Sequence, residues 1–133
     1  MAPVKFRHHL IGGKVIFTDN KNVTRNQEII VLWDRGATPA HDTYSILMGG
    51  RANGQTKERI NYTMTILSDL VYSKPCALTD NVFAAIQGTK KLEIDTTAHF
   101  LYEIDYGGGA CDNLVNISAK GQSESVTVSP TGN

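Results

Sequence analysis

The chain's four histidines, two cysteines and thirteen carboxylates are its main means of doing chemistry. His8 and His9 are adjacent. Neighbours on a strand point to opposite faces, so the two cannot easily share one metal ion. His41 lies beside Asp42 in a proline-containing stretch, and His99 lies in a stretch of helical spacing; neither has a second ligand one turn away. Glu93, Asp95, Glu103 and Asp105 could pair in space, but no spacing singles them out. The G-x-S-x-G, H-E-x-x-H and G-x-x-x-x-G-K-[ST] patterns are absent. Gly49-Gly50-Arg51-Ala52-Asn53-Gly54 precedes a strand pattern, so it lacks the helix N-terminus that holds a phosphate and reads as turn punctuation. Cys76 reads as a reduced thiol or a cross-linking point, and Cys111 as a small packed apolar residue. The expectation is a non-enzyme with no cofactor and no metal.

Binding chemistry is better represented. Ile60, Tyr62, Met64 and Ile66 alternate with Arg59, Asn61, Thr63 and Thr65, the period of a strand with one apolar and one polar face. With Tyr44, Ile46 and Met48 turned to the core, Ser45 and Arg51 join that polar face, and Gln87, Thr89 and Lys91 continue it on a later strand. Arginine and lysine neutralise phosphates, while threonine, serine and asparagine hydrogen-bond to sugars, phosphates and base edges. Such a face suits single-stranded RNA. A solvated sheet face has the same composition, and the pattern alone leaves both readings open.

These residues need a scaffold of strands. Val4 to Ile11 and Lys14 to Thr18 read as a hairpin turning at Gly12-Gly13. Thr18 to Gln27 is polar and reads as loop; Glu28 to Asp34 is an apolar run of strand length. Thr43 to Arg51 and Lys57 to Leu67 read as strands joined at Asn53-Gly54, a strong hairpin signal. Ser68 to Asn81 contains Pro75 and no clear period, so it reads as a long loop, and Val82 to Ile94 returns to strand with a weak point at Gly88. Ala98, Phe100, Leu101 and Ile104 then predict a helix, capped by Asp95 or Thr96 and ended by Gly107 to Gly109. Cys111 to Ser118 is a second short helix or a strand, and the tail from Ala119 reads as loosely held.

Taken together, residues 1–133 read as one mainly β domain. A hairpin and antiparallel sheet occupy 1–95, a helical segment 96–118 and a tail 119–133. One helix of about ten residues cannot cover a five-stranded sheet. The missing cover must come from the tail or from a second copy, which favours a dimer. Lysine plus arginine equals aspartate plus glutamate at 13 each, which argues against capture of nucleic acid by overall charge but allows one basic face. No apolar run reaches membrane-spanning length, the N-terminus has no signal-peptide core, and two cysteines make no disulfide framework. The simplest compartment is an intracellular one.

The run EIIVLWDRG followed by TYSILMGGRANGQTKERINYTMTIL resembles, in its order of elements, the coat proteins of single-stranded RNA bacteriophages. The resemblance extends over about Lys5 to Asp95. It implies an N-terminal hairpin, a five-stranded antiparallel sheet and two C-terminal helices that lie over the partner's sheet in an interlocked homodimer. It further implies assembly into an icosahedral shell in the bacterial host's cytoplasm, residence in the virion, and an RNA hairpin held on the inner sheet face to repress translation. The RNA-facing positions would be Ser45, Arg51, Arg59, Asn61, Thr63 and Thr65, followed by Gln87, Thr89 and Lys91. Lys74, Pro75 and Cys76 would form the loop between dimers. A phage tail or decoration protein without RNA binding, and a small β-rich enzyme or ligand-binding module, are the alternatives.

Overall fold

A computed structural model describes residues 3–97 and 99–128. The strands are β1 (Val4–Ile16), β2 (Asn22–Asp34), β3 (Thr43–Ile46), β4 (Arg51–Gln55), β5 (Asn61–Ser73), β6 (Gln87–Asp95), β7 (Phe100–Gly108), β8 (Leu114–Ala119) and β9 (Gln122–Thr127). A short helix, α1 (Lys74–Asp80), joins β5 to β6, and a 3-10 turn spans Pro39–His41. All nine strands form one sheet in which β3 and β4 share the position between β2 and β5. Every pairing is antiparallel, and position across the sheet follows position in the sequence.

The fold is mainly β, as the alternation predicts, but several local expectations are corrected. Gly12-Gly13 is not a turn. It is a bulge inside β1, where the register to β2 shifts between Leu10 and Gly13 and Gly12 has φ +65°. The turn falls at Phe17 to Lys21, closed by the Phe17 N–H donating to the Lys21 carbonyl at 2.8 Å. Residues 22–27, read as loop, therefore belong to β2, because the polar residues there alternate on the sheet's wet face.

Asn53-Gly54 is not a turn either. Both lie in β4, paired on one side with Arg25 and Asn26 and on the other with Tyr62 and Thr63. Gly54 is needed for a different reason: a Cβ there would collide with the Thr24 backbone. The turn falls at Thr56 to Ile60, with Arg59 at φ 63°.

The stretch 68–81 is not a loop. β5 runs on to Ser73, whose hydroxyl accepts from the Cys76 N–H at 3.2 Å and caps α1.

The helical segment over 96–118 is strand as well. Phe100, Tyr102, Ile104 and Tyr106 are half-buried, while Leu101, Glu103 and Asp105 are exposed. These aromatic and branched residues satisfy period two as well as the helical spacing, and edge pairing with β6 decides between them. Ala98 lies outside the described residues. Of the two readings offered for Cys111 to Ser118, the strand is found, as β8; the tail, read as loosely held, forms β9, and residues 129–133 also lie outside the described residues.

Directly opposed residues share a face, so the register sorts the sheet into two sides. One side carries Trp33, Tyr44, Tyr62, Met64, Ile66 and Leu70, continued by Leu92, Ile94 and the aromatics of β7. Its deepest part is Ile66, Leu70 and Ala85, with Ile46, Met64, Tyr72 and Tyr106 against them. A second cluster joins Cys76, Val82 and Ile86 with Val71 where α1 leaves the sheet. Cys76 is bonded to Cys111, which sits between β7 and β8, with Cα atoms 5.3 Å apart. The sequence reading paired neither cysteine within the chain, and the structure bonds them to each other. Away from Ile66, Leu70 and Ala85 the apolar side stays only half-buried, because the second cluster, in the short strap 74–86, packs on Val71, which the register places on the opposite side with Ser45.

Asp42, in the connection between β2 and β3, is a buried carboxylate, 4% exposed. It accepts from the Gly36 N–H at 2.9 Å and from the Trp33 indole N–H at 2.9 Å. The Gly36 hydrogen bond leads the causes that hold its carboxyl below the usual range, opposed by desolvation and aided by Trp33, Lys74 and Arg35. A lowered folded-state value gives stability that is complete above the unfolded value of 3.8 and is lost as pH falls through the folded one. Asp42→Ala is therefore expected to lower Tm at neutral pH, and the gap to the parent to shrink as pH drops below about 4, in melts followed by circular dichroism.

Candidate nucleic-acid interface

The other side of the sheet is polar along most of its width. Register places Glu28, Arg51, Thr65 and Lys91 in one row across β2, β4, β5 and β6. The next row is Asn26, Asn53, Thr63 and Glu93, and the one after it Thr24, Gln55, Asn61 and Asp95. Lys5, Arg7 and His9 of β1 stand on the same side, opposite Leu32, Ile30 and Glu28.

The amides brace one another. The Asn26 amide nitrogen donates to Asn53 Oδ1 at 3.1 Å, and Asn26 Oδ1 accepts from the Gly12 N–H at 2.7 Å. Gln55 Nε2 donates to Asn61 Oδ1 at 3.0 Å. The carbonyl oxygens of Asn53 and Asn61 are thereby engaged, and among the described residues their NH2 groups make no hydrogen bond. They remain as exposed donors for phosphate oxygens or for acceptors on bases. Arg51 is exposed and makes no ion pair among the described residues, so its guanidinium is available to a phosphate.

The expected positions divide accordingly. Arg51, Asn61, Thr63 and Thr65 come together in one patch, as β4 and β5 are direct neighbours. Ser45 is on the same face, nearer the α1 end, opposite Leu32 and Val71. Arg59 is not on the face; it sits in the turn beyond β4 and is displaced from the ladder by its left-handed backbone.

Lys91 is opposite Thr65, but its ammonium pairs with Glu93 at 3.2 Å, which offsets its charge. The Thr89 N–H donates to Ser68 Oγ at 2.9 Å and the two hydroxyls share a second hydrogen bond at 2.9 Å, so Thr89 is engaged locally, and Gln87 lies beyond the bulge at Gly88. Lys74 and Pro75 open α1, and Cys76 is 3% exposed and bonded within the chain, so it is not free to link neighbouring dimers.

Asn26, Asn53 and Gln55 were missed because their stretches read as loop and turn. The alternation of Thr24, Asn26 and Glu28 was the signal that could have placed them.

Charge is distributed unevenly. Residues 1–59 carry nine Lys and Arg against five Asp and Glu, and residues 60–133 carry four against eight. Since sheet order follows chain order, this becomes a gradient from a basic β1 side to an acidic β6–β9 side. Glu93 and Asp95 also have His99 beside them, at 3.9 Å and 3.8 Å. Among the described residues no three His, Cys, Asp or Glu groups are placed to hold a metal ion, and no helix is long and apolar enough to cross a membrane. The chain matches no family model, and no curated protein or solved structure is similar to it at the threshold of the comparison.

Proposed function

We propose that this chain is a non-catalytic virion protein that self-assembles into a shell, with its polar sheet face against single-stranded RNA and its apolar face covered by a second copy. One observation carries the reading. A single sheet layer has a braced ladder of amides, hydroxyls and Arg51 on one side and an aromatic-rich surface on the other, which its own chain covers only around Ile66 and Leu70. An uncovered apolar area beyond a few hundred Å2 marks a contact surface. The C-terminal helices expected as cover are strands, so in this reading the partner's sheet and strap supply it. The RNA would lie on the β1–β5 part of the face, where Lys5, Arg7 and Arg51 stand and the gradient is positive. Assembly would take place in the bacterial cytoplasm and give particles holding host RNA on expression, with the Cys76–Cys111 bond closing after release from that reducing compartment.

Two measurements test this. Purified particles are expected to show nucleic-acid absorbance that disassembly in high salt with ribonuclease removes. Arg51→Ala and Asn61→Ala are each expected to weaken RNA binding by about 1–3 kcal/mol while leaving the oligomer intact. Particles free of RNA, or binding unchanged in both variants, would refute the assigned face. The acidic residues of β6 and β7, Glu93, Glu103 and Asp105, favour the second reading of a tail or decoration protein without nucleic acid. In that case the same preparation gives rings or tubes without RNA.

A further inference from the structure

We propose that copies of this chain join head to tail, the β9 edge of one pairing with the β1 edge of the next. The surface is the sheet's two open margins, not its polar face, so the inference stands independently of RNA binding.

Among the described residues both end strands lack a second neighbour. β1 has 13 residues and β9 six; β9 is exposed throughout and β1 at all but two positions. Neither contains proline, one means of blunting an edge; the bulge between Leu10 and Gly13, together with Lys14, blunts the far half of β1 and leaves Val4 to Leu10 as its regular part. An edge of this kind offers unpaired N–H and C=O groups to another chain.

The sense of pairing follows from the topology. Because β3 and β4 share one position, the sheet has eight positions, an even number. Its first and last strands therefore run in opposite directions. A translated copy can add β1 to β9 with the antiparallel geometry of every other pair in the sheet.

Charge selects this arrangement over two-fold pairing of like edges. β1 carries Lys5, Arg7 and Lys14 and no acidic residue. A β1–β1 contact would set these cations side by side, and directly opposed like charges destabilise a sheet. β9 carries Glu124 as its one charge.

The residue pattern then sets the register. The regular half of β1, Val4 to Leu10 before the bulge, has nearly the length of β9. For the apolar side to continue across the junction, Gln122, Glu124 and Val126 must oppose the even-numbered residues of β1. Val126 opposite Phe6 places Glu124 opposite His8 and Ser125 opposite Arg7. It covers two apolar side chains that are 38% and 46% exposed. A shift of two residues either way sets Glu124 against Phe6 or Leu10. The contact is heterologous, so repetition builds rings or filaments rather than a closed pair.

Charge exchange in the full-length protein tests the pairing. Light scattering after size exclusion is expected to show wild-type oligomers beyond a dimer, growing with concentration. Glu124→Lys alone and His8→Glu alone are each expected to weaken the contact about three- to thirtyfold, and an equal mixture of the two to restore it, since the introduced ammonium of one variant then faces the introduced carboxylate of the other. Ser125→Lys with Arg7→Glu repeats the test one residue along, on the polar face, should either first variant fail to give the parent circular dichroism spectrum. A wild-type protein that stays monomer or dimer, single variants that assemble like the parent, or folded variants that do not complement would each overturn the proposal.

Discussion

Removing both sulfurs by Cys76→Ala with Cys111→Ala is expected to lower the unfolding free energy by about 4 kcal/mol, the closure term for a 35-residue separation. The bond ties α1 to the β7–β8 connection across the end of the sheet where Val82 and Ile86 pack on Val71. Without it, the unfolded chain regains the freedom of that loop, and the strap keeps its small apolar cluster, the Ser73 cap, Ala85 in the main core and the Ile86 N–H bond to the Val71 carbonyl at 2.8 Å. Alanine is the better probe at Cys76, because a serine hydroxyl would be buried there without a partner. In urea, the midpoint is expected to fall by about 2–3 M, and reductant acting on the parent protein should reproduce the shift. Identical midpoints with and without reductant, in protein shown to lack free thiols, would contradict the account.

The second large effect is at the centre of the sheet. Leu70→Ala is expected to cost about 2–5 kcal/mol, because Leu70 is 2% exposed and packs with Ile66 and Ala85 among Ile46, Met64, Tyr72 and Tyr106. The lost methyl groups leave a cavity between the strap and the sheet that neighbours on a hydrogen-bonded layer cannot close. Met48→Ala and Ile11→Ala serve as controls: these side chains are 70% and 76% exposed, and each change is expected to stay within about 0.5 kcal/mol. Denaturant unfolding of the four proteins checks the contrast. A cost at Met48 equal to that at Leu70 would mean the core is elsewhere.

The strand pattern was legible where one face is buried and the other wet. Asn61 to Ile66 alternates cleanly, and the structure keeps that alternation with Tyr62, Met64 and Ile66 on the apolar side. The sequence misled where one local signal serves two structures. Asn53-Gly54 favours a tight turn, yet here the glycine is required because the Thr24 backbone passes too close for a side chain, a contact that only the folded sheet creates. Between Phe100 and Tyr106 the apolar spacing suits a helix or a strand, and the free edge of β6 settled which. Two cysteines 35 residues apart carry no local sign of their pairing; the meander brings their segments to the same end of the sheet. Of the polar patch, Arg51, Asn61, Thr63 and Thr65 were readable from period two, whereas Asn26 and Gln55 were not, because short polar strands look like loops.

Order across the sheet that follows order along the chain also bears on biosynthesis. Each strand leaving the ribosome finds a pairing partner made one or two strands before it, so the search spans a short tether and the entropic cost of closure is small at every step. The nascent chain can zip up from its N-terminus without waiting for distant residues, and oxidation at Cys76 must come late, once Cys111 has emerged.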